Sequence, residues 1–166
     1  KKKANIFNVN IRDYNVFDKK YDVIICQRIF INIQNHQDQK KALKNTLKLS
    51  KKNTKFLIIE AFSSGLKKLN LIRKKFKLET LKSANCNKYL PDNFFNNKYL
   101  KKINHKNENL LSSYYLIARL FHPYYLKANN EKFKFNSEFV NYFKDIIPSV
   151  KGNYSQLKFL IFKIDK

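Results

Sequence analysis

The sequence predicts an α/β fold built on a parallel pair of strands, and three observations predict it. The apolar run Val23-Ile24-Ile25, introduced by Tyr21-Asp22, has the look of a strand buried on both faces, as in a parallel sheet. A second run, Phe56-Leu57-Ile58-Ile59, ends on the carboxylate Glu60. Between them Ala42, Leu43, Leu47 and Leu49 recur among lysines at helical spacing. Strand, helix, strand with short joints is one right-handed βαβ crossover. Cys26, Gln27 and Arg28 follow the first strand and Glu60 closes the second. Polar groups therefore stand at both carboxyl ends, where open α/β sheets bind ligands.

The other elements follow in chain order. Residues 5–9 mix apolar and polar side chains and predict a short strand, with Asn10-Ile11-Arg12-Asp13 as the turn after it. The polar stretch 32–39 holds the start of a helix whose body is 38–49. Lys51-Lys52-Asn53-Thr54 is the turn into the strand at 55–61. Ser63-Ser64-Gly65 is a loop and helix cap, and Leu66, Leu69, Ile72 and Phe76 continue at helical spacing. A further strand is expected over 78–83, fading towards Asn85-Cys86-Asn87. From 87 to 106 the pattern weakens, and Pro91 interrupts it. A helix over 110–121 is expected to stop at His122-Pro123. Another, over 135–143, takes Ser137 as its cap and ends before Pro148. Residues 157–164 form a last strand, expected antiparallel. Repeats and linker-like stretches are absent, so residues 1–166 read as one domain or part of one, with a helical insertion at 88–150.

Composition narrows the function less than its extremes suggest. The net charge is +23, which by itself points to nucleic acid. The excess is mostly lysine spread along the whole chain, with Arg only at positions 12, 28, 73 and 119. Asn, Ile, Phe and Tyr are abundant and Gly, Pro and Trp scarce, as an AT-rich coding sequence produces whatever the function. Specific nucleic-acid binding is therefore not expected, although weak salt-sensitive sticking to polyanions is. A basic nucleic-acid-binding module remains the alternative, and it requires clustered cations with stacking aromatics on one face. Cys26 and Cys86 lack metal-ligand spacing, so no metal is expected, and Cys26 reads as a small buried residue. His36, His105 and His122 are scattered in loops and expected to be solvated. No apolar run approaches the ~20 residues of a membrane helix. The sequence contains no Met and opens on three lysines, which predicts a fragment lacking its true N-terminus.

The order of these elements resembles the later part of a class I S-adenosylmethionine-dependent methyltransferase. Asp13 and Tyr21-Asp22-Val23-Ile24-Ile25 resemble the passage from the adenine-contacting loop into that family's fourth strand. Gln27 with Arg28, then Ile31-Asn32, then Gln39 resembles a subgroup's signature. The fifth strand with Glu60 at its end, Leu69-Asn70 with Arg73, Asn87-Lys88-Tyr89, and the stretch Ser112 to Pro123 complete the likeness. The resemblance implies a partial Rossmann-like sheet, third to seventh strands, with a helical substrate lid before the final antiparallel strand. It implies S-adenosylmethionine as cofactor, a small-molecule acceptor such as a sugar of a surface-glycan pathway, and a cytoplasmic setting. The family's glycine-rich turn and following acidic residue have no counterpart, since the chain's glycines are Gly65 and Gly152. This chain alone is therefore expected to be inactive, poorly soluble and unable to bind the cofactor tightly.

The candidate residues follow from strand ends and from this likeness. Arg28 and Glu60 are the catalytic candidates: Arg28 to hold the cofactor carboxylate or an anionic substrate, Glu60 as a base. Pairing with one another, or a helix-terminus charge for Glu60, is the structural alternative. The resemblance adds Asn10, Ile11 and Gln27, with Arg28, toward the cofactor. It adds Asn32, Asn70, Arg73, Asn87, Tyr115 and Arg119 toward the substrate. Asn70 and Arg73 lie three apart on one helix face and so can act together. Tyr114 and Tyr115 fit a core role better than a site, and Arg119, in an otherwise apolar helix, is the better candidate.

Overall fold

A computed structural model describes residues 4–13, 19–105, 108–134, 137–148 and 152–165. Its centre is a mixed sheet of four strands: β1 (Tyr21–Gln27), β2 (Ser50–Ala61), β3 (Leu100–Ile103) and β4 (Leu157–Ile164). Their order across the sheet is β1-β2-β4-β3. The predicted crossover is present: β1 and β2 are parallel, with Ile24 opposite Phe56 and Gln27 opposite Ile59. They are joined through a 3-10 turn (Phe30–Asn32) and α1 (His36–Lys48). β4 runs antiparallel to β2 and to β3, so β3 points the same way as β1 and β2.

Local chemistry fixes the ends of these elements. Asn35 caps α1 by accepting from the Asp38 N–H, which provides for one otherwise unpaired donor of the first turn. The predicted turn at 51–54 persists as a bulge inside β2, where the register jumps and Asn53 takes φ 67°. Thr54 stitches it, its hydroxyl donating to the Tyr21 carbonyl and accepting from the Lys51 N–H. α2 (Ser63–Lys75) follows β2 at once, capped at Phe62 without a side-chain hydrogen bond. Gly65 in its first turn is required by contact: a Cβ there would lie 2.0 Å from the Ser155 carbonyl oxygen.

The insertion is less wholly helical than expected. Leu90, Phe94 and Phe95 are buried in the main core with Phe30, Phe56, Ile58 and Phe162, and residues 100–103 join the sheet as β3. Nor does the helix that begins at Ser112 stop at Pro123. α3 (Ser112–Leu116), a π-helical turn (Ile117–Phe121) and α4 (His122–Ala128) run on without interruption. Pro123 has no N–H to give the Arg119 carbonyl four residues back, and the wider turn accommodates the loss. An Arg73 guanidinium N–H donates to that carbonyl. α5 (Glu138–Ile146) is capped by Ser137 as predicted, its hydroxyl accepting from the Val140 N–H. Residues 135 and 136, where that helix was expected to begin, lie outside the described residues.

Two predicted strands are not formed. Residues 5–9 run outside the sheet, with Ile6 94% exposed. The ladder ends at β1, and a strand without a partner leaves its backbone groups to water. Residues 78–83 are irregular, because β4 already occupies the position beside β2. β1 departs from expectation in part. The apolar run alone suggests burial on both faces, whereas Val23 and Ile25 are 50% and 65% exposed; that β1 is a sheet edge with apolar residues exposed beside it agrees with the fragment expectation. Ile25, Leu57, Ile161 and Ile103 stand in register across all four strands. None of them joins the clusters of buried side chains; Ile25 and Ile103 are exposed and Leu57 and Ile161 half-buried, so this face is open at its β1 and β3 edges among the described residues.

Candidate functional site

The parallel strands bring Arg28 and Glu60 to adjacent carboxyl ends. The Arg28 N–H donates to the Ile59 carbonyl at 2.8 Å, and the next three N–H groups turn onto the Glu60 side chain. Oε1 accepts from Ile29 at 2.6 Å and Phe30 at 3.0 Å, and Oε2 accepts from Ile31 at 3.3 Å. Glu60 is fully buried. Burial pushes its carboxyl up to about 7, against the opposing pull of the three N–H groups and of Arg28. The same burial, with Glu60 beside it, raises the Cys26 thiol to about 12, so Cys26 is an inert core residue.

Arg28 and Glu60 do not form an ion pair within 4 Å; the carboxylate is saturated by main chain instead. Arg28 is exposed and sits at φ 54°, a left-handed conformation that costs a non-glycine residue roughly 1–3 kcal/mol. The Glu60 bonds hold the turn that imposes it. Glu60 is thus the positioning group of the site, and Arg28 the cation it presents.

The neighbouring predicted residues assemble around this turn. The Asn32 amide donates to the Arg28 carbonyl at 2.7 Å, and the Asn87 amide donates to Asn32 Oδ1 at 2.7 Å. The Lys88 N–H donates to the Ile31 carbonyl at 2.7 Å, which brings Tyr89 alongside. Tyr89 and Tyr115 both have raised phenol pKa values, through burial first, and both feel the positive charge of Arg28 and Arg119. Two guanidiniums and two phenols therefore share one neighbourhood. Gln27 is exposed at the end of β1.

Other predicted residues are engaged in holding the architecture. The Asn70 side chain bonds both main-chain groups of Leu81, at 2.8 and 2.9 Å, in the manner of a strand partner. Arg73, buried rather than solvated, donates through Nε to the Glu79 carbonyl at 2.7 Å and through Nη1 to Arg119. Together they dock the irregular stretch 79–81 and the π turn onto α2. Asn10 Oδ1 accepts from the Arg12 N–H and Nε at 3.1 and 3.0 Å. The Ile11 carbonyl accepts from the Asn45 amide on α1 at 3.3 Å, and its side chain packs on the main core.

Three side chains take roles that the sequence reading did not give them, the first two of them beside this turn. Tyr89 stood in plain view as the last residue of Asn87-Lys88-Tyr89. Gln39 is fully buried, and its amide donates to the Phe30, Ile33 and Lys88 carbonyls at 3.0, 3.0 and 2.8 Å. A glutamine among the helix's apolar positions is the signal for such a hub. His122, expected in solvent, is buried and stacked 5.2 Å from Phe139, with Nε2 3.0 Å from the Ser137 hydroxyl. No group of metal-binding side chains occurs among the described residues, and no described helix is long and apolar enough to cross a membrane. No protein-family model matches the chain, and no curated protein matches its sequence.

Proposed function

We propose that this chain is the later portion of a class I methyltransferase that moves a methyl group from S-adenosylmethionine to a small-molecule acceptor such as a sugar. The observation that carries the reading is the turn after β1. A buried carboxylate at the end of β2 collects three N–H groups and so presents Arg28 at the carboxyl edge of a parallel pair. The antiparallel last strand agrees with the resemblance. Methyl transfer from a sulfonium is an in-line displacement, so the protein's contribution is mainly alignment. Arg28 would hold a carboxylate or another anion there. Asn32, Asn87, Tyr89, Tyr115 and Arg119 would line the acceptor side, and the helix carrying Arg119 would form its wall. Glu60 would serve as a base only if the turn opened and released its oxygens.

The glycine-rich turn that the resemblance calls for is not among these residues, so the reading assigns cofactor binding to a longer protein containing it. The test is the coding sequence just upstream, then the joined protein. A strand, a glycine-rich turn and a helix should be encoded there. The joined protein should bind S-adenosylmethionine at micromolar concentration, whereas residues 1–166 alone should not. In the joined protein Arg28→Ala should lower turnover roughly tenfold or more, the worth of one charge-assisted hydrogen bond, without loss of folding. An upstream sequence without that unit, or an Arg28→Ala enzyme of full activity, would sink the proposal.

A further inference from the structure

A second cleft lies away from Arg28. Its walls are α1, through Lys40, Leu43, Lys44, Leu47 and Lys48, and residues 94–99, through Phe94, Asn96, Asn97 and Tyr99. The volume is about 500 Å³, within the range of small-molecule sites. Residues 94–99 lead into β3 at Leu100, which pairs with Ile164, and the adjacent Lys163 pairs with Lys55 near the start of β2. That puts the Tyr99 end of the cleft at the opposite end of the sheet from Glu60, while Phe94 reaches back to Phe30, 5.6 Å between ring centroids.

The lining divides sharply by chemistry. Leu43, Leu47 and Phe94 are buried and form an apolar floor, and Tyr99 stands 38% exposed beside it. Above them Lys40, Lys44 and Lys48 repeat every fourth residue along one face of the helix. Among the described residues no carboxylate lines the cleft. Asp38, the one acid of α1, is engaged by Asn35 and Arg12. Lys40 and Lys44 have no ion-pair partner among the described residues. Like charges four residues apart destabilise a helix, so an anion seated between Lys40 and Lys44 relieves a cost that the fold leaves standing.

From this geometry we propose that the cleft binds a small amphiphilic anion, its carboxylate or phosphate head among the three lysines and its apolar body on Leu43, Leu47 and Phe94. Lysine ammonium groups are point charges and take either head group. The floor gives a purely inorganic anion nothing to bury. The inference is independent of methyl transfer, because it shares no residue with the Arg28 site.

The test is calorimetric titration of the chain with decanoate, decanol and acetate below micelle formation, followed by amide NMR. Decanoate should bind one-to-one, roughly tenfold or more tighter than decanol, and acetate should not saturate; tenfold is about 1.4 kcal/mol of head-group attraction. Shifts should centre on Leu43, Leu47 and Tyr99. The exposed double substitution Lys40→Glu/Lys44→Glu should cost roughly tenfold in decanoate affinity, with the melting temperature and decanol binding retained. Equal binding of decanoate and decanol, shifts centred on Ile25 and Ile103, uptake only on anionic vesicles, or undiminished binding by the double variant would each overturn the proposal.

Discussion

Glu60 makes the pH dependence of folding a direct test of the site's electrostatics. Its carboxyl titrates at about 7 in the folded chain against an ordinary value of 4.5. The folded state therefore holds this proton more tightly than the unfolded state does. The stability it contributes is fully present below pH 4.5 and is lost as pH rises through about 7. A rise from 4.5 to about 7, at 1.36 kcal/mol per unit, corresponds to about 3 kcal/mol. Glu60→Gln removes the titration and keeps the shape. It also turns an amide N–H₂ toward a main-chain N–H, an offset of roughly 1–3 kcal/mol that does not vary with pH. Urea unfolding of both proteins from about pH 4 to about pH 8 isolates the group, because every other titration is common to the two. The stability of Glu60→Gln relative to wild type should climb by about 3 kcal/mol across that window. A flat difference would mean that the carboxyl is not perturbed. A difference of opposite sign would mean that the three N–H groups and Arg28 outweigh burial, and that Glu60 is a permanent anion.

Three further outcomes are expected. Gly65→Ala should be destabilising although alanine favours helix: the new Cβ meets the Ser155 carbonyl at 2.0 Å. The contact is with main chain, so overpacking costs roughly 3 kcal/mol, the upper end of its range, against about 1 kcal/mol of helix propensity; at about 2–4 °C per kcal/mol a thermal melt should fall by about 4–8 °C, and an unchanged melt would refute the contact. Arg73→Lys should cost roughly 1–3 kcal/mol, because one ammonium cannot serve both the Glu79 and Arg119 carbonyls. The loss should shrink by more than about 0.5 kcal/mol in a Pro123→Ala background, where an N–H becomes free for Arg119, and strict additivity in that cycle would break the link. His122 has a lowered pKa through burial, so its contribution to stability is present above the ordinary 6.5 and is lost as pH falls below it through the lowered folded value. Replacing it with Phe should flatten the acid limb of the stability curve, and an unaltered limb would place the titration elsewhere.

Periodicity made the core of this fold legible. β1, α1, β2 and β4 each carry a run or spacing that only one element type satisfies, and Ser137 announced the start of α5. β3 was hidden because Leu100-Lys101-Lys102-Ile103 has two lysines at its centre and is held by main-chain pairing to β4. The stretch 78–83 misled for the converse reason: its alternation looks like a strand, but Asn70 and Arg73 claim its backbone. Pro123 was read as a stop, since nothing local says that an arginine from another helix will donate to the Arg119 carbonyl. In the site, Arg28 and Glu60 were visible as polar residues at strand ends. Their relation was not, because Glu60 binds N–H groups, which every residue but proline carries.

The open sheet face gives the net charge of +23 a colloidal role. In dilute buffer, copies of the chain repel one another and the row Ile25, Leu57, Ile161, Ile103 stays apart from its like. Near 0.15 M salt the Debye length contracts to about 8 Å and the repulsion fades, while apolar attraction and the unpaired edge of β1 remain. Self-association should therefore grow with added salt, whereas binding to any polyanion weakens with it. Light scattering along one salt gradient, with and without a polyanion, would show two opposite slopes from one chain.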